Sequence, residues 1–277
     1  MKKSLLITDL DGTLACDGRV SQVSRDWMEK LGKLGITRVV ATGRSVQGIH
    51  RVFAEDFPVD FAIFSSGAGV LAWKGQKLLR SHSLQSQDIS KILPELQEHG
   101  LGFMLHDPIP ENHRFQFIST ERSCEDHHRR LARLGDLGRP FGLTHDSATQ
   151  FVLIIPDKQV EHSLSHLRAR LPEYSLIRAT SPLDGKSAWV EIFPKSVSKS
   201  QAAAWLSNFL NLPRESAIAI GNDFNDVDLL EWAGKSFVVG YGLPHLGKKF
   251  PVMRPCHLEG FGEAVAQWHA ECISSNG

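Results

Sequence analysis

Five short apolar runs, Leu5 to Ile7, Val39 to Ala41, Phe61 to Phe64, Ala217 to Ile220 and Phe237 to Val239, constrain this chain more than any other feature. None alternates between apolar and polar residues. A strand with one wet face would alternate, so each run reads as a strand buried on both faces, in a parallel sheet covered by helices. Helical patterns fall between them. Ser24 is placed to cap a helix whose Trp27, Met28, Leu31 and Leu34 share one face before Gly35 ends it. Ser198 is placed to cap another, with Ala202, Trp205, Leu206, Phe209 and Leu210 as its apolar stripe. Strand and helix in alternation predict a doubly wound, Rossmann-like α/β core.

The middle of the chain breaks that rhythm. The pattern predicts a helix over 89–99, strands over 103–106 and 115–118, a helix over 124–134, a strand over 151–155, a helix over 158–171 and a strand over 174–179. Adjacent strand pairs argue for an α+β insert with an antiparallel sheet. The domains expected are therefore a core of residues 1–83 and 187–277 and an inserted unit of 84–186.

Composition excludes some functions. Lys plus Arg and Asp plus Glu each total 31 in 277 residues, so no net field draws nucleic acid or an anionic membrane. The opening apolar run is three residues long and meets two aspartates, which reads as a strand and not a leader. No apolar run approaches the ~20 residues that span a bilayer. Cys16, Cys124, Cys256 and Cys272 lie far apart without a C-x-x-C pair, so they read as idle thiols and fit a reducing cytoplasm.

The first strand ends in Asp9-Leu10-Asp11-Gly12-Thr13-Leu14. In an open α/β sheet the carboxyl ends of the strands form the ligand crevice. Two carboxylates side by side are costly when both are ionised, and a hard cation with oxygen ligands such as Mg²⁺ relieves the conflict. This hexapeptide resembles the first signature of the haloacid dehalogenase superfamily of phosphohydrolases. The resemblance implies that Asp9 is a nucleophile forming an aspartyl-phosphate and that Asp11 is the acid and base. Leu10 between them is counted with the phosphate-binding set.

Three later segments extend the resemblance. Thr42-Gly43-Arg44 after the second strand is similar to the second signature, whose hydroxyl holds the phosphoryl group, with Arg44 available to a substrate anion. Lys199, at a helix start, matches the charge-neutralising lysine, with Lys195 as its competitor. Gly221-Asn222-Asp223-Phe224-Asn225-Asp226 is similar to the fourth signature, usually Gly-Asp-x-x-Asn-Asp, in which Asn225 faces phosphate. Here Asn222 stands where the first Asp is usual, so the metal set is Asp9 and Asp11 with Asn222, Asp223 or Asp226.

A large insert between the second and third motifs resembles the C2-type cap of the Cof-like IIB group, which includes sugar-phosphate phosphatases. The resemblance implies a cytoplasmic, Mg²⁺-dependent hydrolase of a small phosphorylated metabolite, a sugar phosphate in particular, whose cap closes over the crevice. A phosphomannomutase-like mutase and a catalytically silent phosphosugar-binding protein are the alternatives. Elsewhere, Phe103, His106, Phe115 and Phe117 read as strands of the insert, and His127-His128 does not have the spacing of a zinc pair.

Overall fold

The computed structural model describes residues 4–142, 146–240, 243 and 246–274. The chain forms two compact units, one of residues up to Arg80 and from Ser198 onward, the other Ser81–Val197.

In the first unit, eight strands among the described residues form one sheet. Leu5–Thr8 lies at its centre, parallel to Thr37–Ala41 on one side and Ala217–Gly221 on the other. Phe61–Phe64 extends one wing and Lys235–Val239 the other, both parallel to their neighbours. Leu5, Leu6 and Ile7 are wholly buried, as expected for a strand covered on both faces. Each such side chain contributes about 1.5–3 kcal/mol by leaving water. Register places the site: Thr8 lies beside Val40 and beside Ile220. Asp9, Thr42 and Asn222 therefore leave the sheet at one end, within a residue or so of one another along the strand direction.

The first helix, Gln22–Lys33, starts three residues earlier than the sequence pattern suggests. Ser21 is its cap, and Ser24, the expected cap, is the residue whose N–H Ser21 Oγ receives at 3.1 Å. Both serines fit a cap chemically, and the one that precedes Gln22 fulfils it. Ser198 caps the helix Lys199–Phe209 as expected, accepting the Gln201 N–H.

The second unit is a six-stranded sheet among the described residues, antiparallel except where Phe115–Ile118 meets Gly138–Pro140. Its helices are Ser86–Glu98, Glu125–Leu134 and Asp157–Arg170, and its strands include Phe103–His106, Gln150–Ile155 and Tyr174–Thr180. The strand Ala188–Pro194 pairs on both sides within this sheet. This unit accordingly runs on to Val197, past the expected boundary at 186. The apolar run Ala188 to Phe193 looks like any buried core strand, and only its partners reveal where it belongs.

Candidate active site

The first strand hands Asp9 into a turn in which the Leu10 carbonyl accepts the Ala15 N–H at 2.7 Å and the Leu10 side chain is buried. Gly12 sits in the turn at φ 76°, and a Cβ there would collide with the side-chain amide of Asn222. The position needs glycine for its backbone and for the close approach of a second loop. Asn222 is thus packed against the Asp9-to-Gly12 turn.

Of the two candidate lysines, Lys199 is the one that meets the first motif. Its side chain is fully buried, and Nζ donates to Asp9 Oδ1 at 2.7 Å and to Asp226 Oδ1 at 2.6 Å. Lys195 instead donates to the Pro172 carbonyl at 2.9 Å, in the other unit. The start of the Lys199 helix is held against the sheet by Gly67, where a Cβ would strike the Ser198 carbonyl oxygen.

Asp226 is wholly committed. One oxygen takes Lys199, and the other accepts the backbone N–H groups of Asn222 at 2.9 Å and Asp223 at 3.1 Å. Its carboxyl carbon lies where a Gly221 Cβ would come within 2.6 Å, so that glycine makes room for it. Asp223 in turn caps the short helix Phe224–Asp226 by accepting its last N–H. Of the three expected metal candidates in this loop, Asp226 and Asp223 hold the loop together, and Asn222 faces the first motif. Asn225 points its amide toward Gly43, about 4.0 Å from where a Cβ would stand.

Thr42 is buried, and its Oγ accepts the Arg44 N–H at 3.1 Å, leaving the hydroxyl proton to be donated elsewhere. Arg44 makes a fork to Asp11, with Nε and Nη2 each 2.7 Å from a carboxylate oxygen, and Nη1 reaches the Gly48 carbonyl at 3.1 Å. Arg44 was expected to serve a substrate anion, and in this structure it is engaged with Asp11.

Charge is unevenly balanced here. Burial raises the Asp9 carboxyl above the usual carboxylate range, with the neighbouring Asp226 next, while Lys199 pulls it down, so a hard cation beside it would favour the ionised form that a nucleophile needs. Burial also opposes the Lys199 charge, but Asp226 and Asp9 outweigh it and hold that ammonium well above its usual range. A third carboxylate, Asp11, stands close by, and so much negative charge around oxygen donors suits a hard cation. The second oxygen of Asp9, the Asp11 carboxylate and the Asn222 amide oxygen are donors of the type Mg²⁺ takes.

The sequence pattern passed over the loop Ser65-Ser66-Gly67. Both serines are buried and left-handed, at φ 47° and 54°, an uncommon state for residues with a Cβ. Ser65 donates its N–H to the Arg44 carbonyl and Ser66 to that of Thr42, and Ser66 Oγ lies 3.4 Å from where a Gly43 Cβ would be. The loop follows the buried strand Phe61–Phe64 at the same sheet end as Asp9 and Thr42, which is the signal that would have singled it out.

Two cysteines read as idle are not. Cys16, in the hairpin just after the Asp9 turn, is bonded to Cys256, 240 positions later, with Cα atoms 5.6 Å apart. Spacing in sequence cannot reveal such a pair. Cys124 and Cys272 take no part in a disulfide among the described residues.

Residues 6–253 match the family model of the haloacid dehalogenase-like hydrolases. The chain belongs to that family. An HMP-PP phosphatase of Klebsiella pneumoniae (strain 342) is 24% identical to this family member over 94% of this chain and 93% of its own length. The enzyme of that name from Yersinia pseudotuberculosis serotype I (strain IP32953) is 23% identical over the same shares. Two solved structures share its fold. BT1666 of Bacteroides thetaiotaomicron, a phosphatase of the superfamily, has a TM-score of 0.76 at 19% identity, over 96% of this chain and 95% of that one. BT4131, a subclass IIB sugar phosphatase of the superfamily, has a TM-score of 0.77 at 15% identity, over 96% and 99%.

Proposed function

We propose that this hydrolase is a Mg²⁺-dependent phosphatase that removes phosphate from a small phosphorylated metabolite through an aspartyl-phosphate on Asp9. The observation that carries the reading is the buried Lys199 bridging Asp9 and Asp226 at 2.7 and 2.6 Å, with Asp11 two residues from Asp9. An immobilised ammonium keeps one Asp9 oxygen in place and leaves the other for attack on phosphorus. Thr42 Oγ, the Gly43 N–H and the Asn225 amide are short donors suited to the equatorial oxygens of the phosphoryl group as its charge spreads.

Asp11 then protonates the leaving oxygen and afterwards takes a proton from the water that cleaves the aspartyl-phosphate. In this structure both Asp11 carboxylate oxygens are held by the Arg44 fork. A substrate phosphate is an alternative partner for the guanidinium, and its binding there would release the Asp11 carboxylate for that proton-transfer role. Asp9, Asp11 and Asn222 would hold Mg²⁺, which supplies positive charge for the transferring phosphoryl oxygens when bound. Asp226 we assign to positioning Lys199 and the Asn222 loop.

Leaving-group choice we assign to the Ser81–Val197 unit, because every residue named above lies outside it. The names of its relatives and structural neighbours make HMP-PP and sugar phosphates the first compounds to try. The test is phosphate release from a panel of phosphorylated metabolites with and without Mg²⁺. Release that needs Mg²⁺ and stops in Asp9→Asn is expected. Isomer formation without phosphate release would identify a mutase, and no turnover of any member would favour a silent phosphosugar-binding protein.

A further inference from the structure

A second cluster of chemically capable side chains lies in the Ser81–Val197 unit, apart from every residue assigned to phosphate chemistry. It is built by two helices. Glu95 and His99 stand one turn apart at the end of Ser86–Glu98, and His162 and His166 one turn apart within Asp157–Arg170. Residues four apart share a helix face. The fold brings one ligand atom each of Glu95, His99 and His166 within 4.8 Å of one another. The two imidazole rings have centroids 3.9 Å apart.

The tautomers are set for coordination. His99 Nδ1 lies 2.7 Å from the Glu95 carbonyl oxygen, which can only accept, so Nδ1 carries the proton and Nε2 presents a lone pair. A backbone carbonyl holding the far nitrogen is the usual support for a metal-binding imidazole. His166 Nε2 is buried and has no hydrogen-bond partner among the described residues. A cavity of about 380 Å³ opens beside both rings, with His162, Ser163, Arg122 and Lys158 in its wall.

We propose that Glu95, His99 and His166 form a site for a zinc-type transition-metal dication, with its remaining position open to the cavity. Two imidazoles and a carboxylate suit Zn²⁺, Ni²⁺ or Cu²⁺ and do not suit Mg²⁺, so the site is chemically separate from the oxygen donors around Asp9. The Glu95 carboxylate is shared with Arg170 at 2.9 and 3.0 Å. Arg170 forks onto both Glu95 oxygens from a half-exposed position, so an incoming dication would take the carboxylate by displacing a guanidinium that can turn out to solvent. Arg122 and Lys158 make an anion the rival occupant of the cavity. The Glu95 carboxylate, converging with the buried and unpartnered His166 Nε2, favours a cation at that point.

The test uses the full chain, stripped by chelator and saturated with Mg²⁺ so that the catalytic oxygen donors are occupied. Zn²⁺ is titrated by calorimetry and Co²⁺ by visible absorption. Binding of one ion per chain is expected, with cobalt ligand-field bands and no thiolate charge-transfer band. His99→Ala and His166→Ala should each weaken Zn²⁺ by about ten-fold or more, while Asp9→Asn leaves it unchanged. His99→Asn and His166→Gln, with far-ultraviolet circular dichroism, serve if the alanine variants do not fold. Unchanged Zn²⁺ affinity in folded His99 and His166 variants overturns the proposal. So does a thiolate band, which would place the metal on cysteine sulfur, as at Cys16, Cys256 and His257 were the Cys16–Cys256 bond reduced. Binding of inorganic phosphate in place of zinc, lost in Arg122→Ala, would make the cavity an anion pocket and overturn it too.

Discussion

Around Asp9 the chain buries acids and a base against one another: Lys199 and Asp226 are fully enclosed and bonded to each other, and Asp9 shares the same ammonium. In the inserted unit, burial disarms titratable groups. It pushes His106 down to about 3 and His127 down to about 4, so both imidazoles are neutral near pH 7. A buried pair of opposite charges costs desolvation and is weak evidence of stability alone, which points to retention for chemistry. His106, whose Nδ1 lies on the Asn112 carbonyl at 2.8 Å, belongs to no converging group of ligand atoms among the described residues and is a core residue.

The widest separation between the two regions should come from Asp9→Asn. The amide keeps the shape and loses the nucleophile, so phosphate release should fall by roughly three orders of magnitude or more while the denaturation midpoint stays close to the parent's. No substitution of His106 should approach that loss of turnover. Activity near that of the parent in Asp9→Asn would remove the proposed mechanism and the distinction drawn from it.

Next in size is the ion cluster itself. Lys199→Met removes the shared cation and leaves Asp9 and Asp226 as enclosed carboxylates without their common partner. Breaking a buried pair in this way costs about 3–5 kcal/mol, read as a lowered urea midpoint at unchanged slope. A loss under about 1 kcal/mol would mean that water or rearrangement satisfies the two acids. The comparison between charged and neutral burial would then fail.

The inserted unit should respond to acid instead. His106 has a folded pKa of about 3, below the ~6.5 of the unfolded chain. Between those values the unfolded state binds the extra proton, so stability is full above pH 6.5 and is lost as pH falls. At pH 5 the loss from this residue is about 2 kcal/mol. Measured from pH 7.5 to pH 5, the drop in unfolding free energy should be smaller by that amount in His106→Gln. Equal drops in parent and variant would show that His106 is hydrated in the fold.

Legibility followed the same division. The residues around Asp9 lie in short contiguous motifs at the ends of apolar strands, so type and position together announced Asp9, Thr42, Lys199 and Asn225. The sequence could not say that Arg44 would fork onto Asp11, because a guanidinium has several partners in reach and only the fold selects one. Ser65 and Ser66 follow an apolar strand as Asp9 and Thr42 do, but their left-handed backbone and their bonds to the Thr42 and Arg44 carbonyls carry no mark in the sequence. In the insert, helix and strand positions were read to within a few residues. The assignment of Ala188–Pro194 to its sheet, the Cys16–Cys256 bond and the meeting of His99 with His166 all depend on contacts between distant segments, which local patterning does not encode.

The smallest effect expected is also the one that most sharpens the account of the charged region. Asn222 stands where the family's fourth signature usually has Asp, and its side chain is packed against Gly12 of the Asp9 turn. Asp226 is spent on Lys199 and two backbone N–H groups, and Asp223 on capping the helix that follows. If Asn222 supplies the third oxygen, the site holds Mg²⁺ with one carboxylate fewer than usual. Asn222→Asp should then tighten Mg²⁺, since the added charge is nearly the only change. Asn222→Ala should weaken it by about ten-fold, close to 1.4 kcal/mol, the loss that removal of a supporting group typically brings. Asp223→Asn keeps a side-chain acceptor for the cap and should shift stability by no more than about 0.5 kcal/mol, with little change in Mg²⁺ affinity. Calorimetric Mg²⁺ titration of the three variants separates these outcomes without reliance on turnover. A loss of Mg²⁺ in Asp223→Asn, with Asn222→Ala at the parent's affinity, would transfer the ligand role to Asp223. The helix cap at Phe224 would then have to break whenever the metal binds.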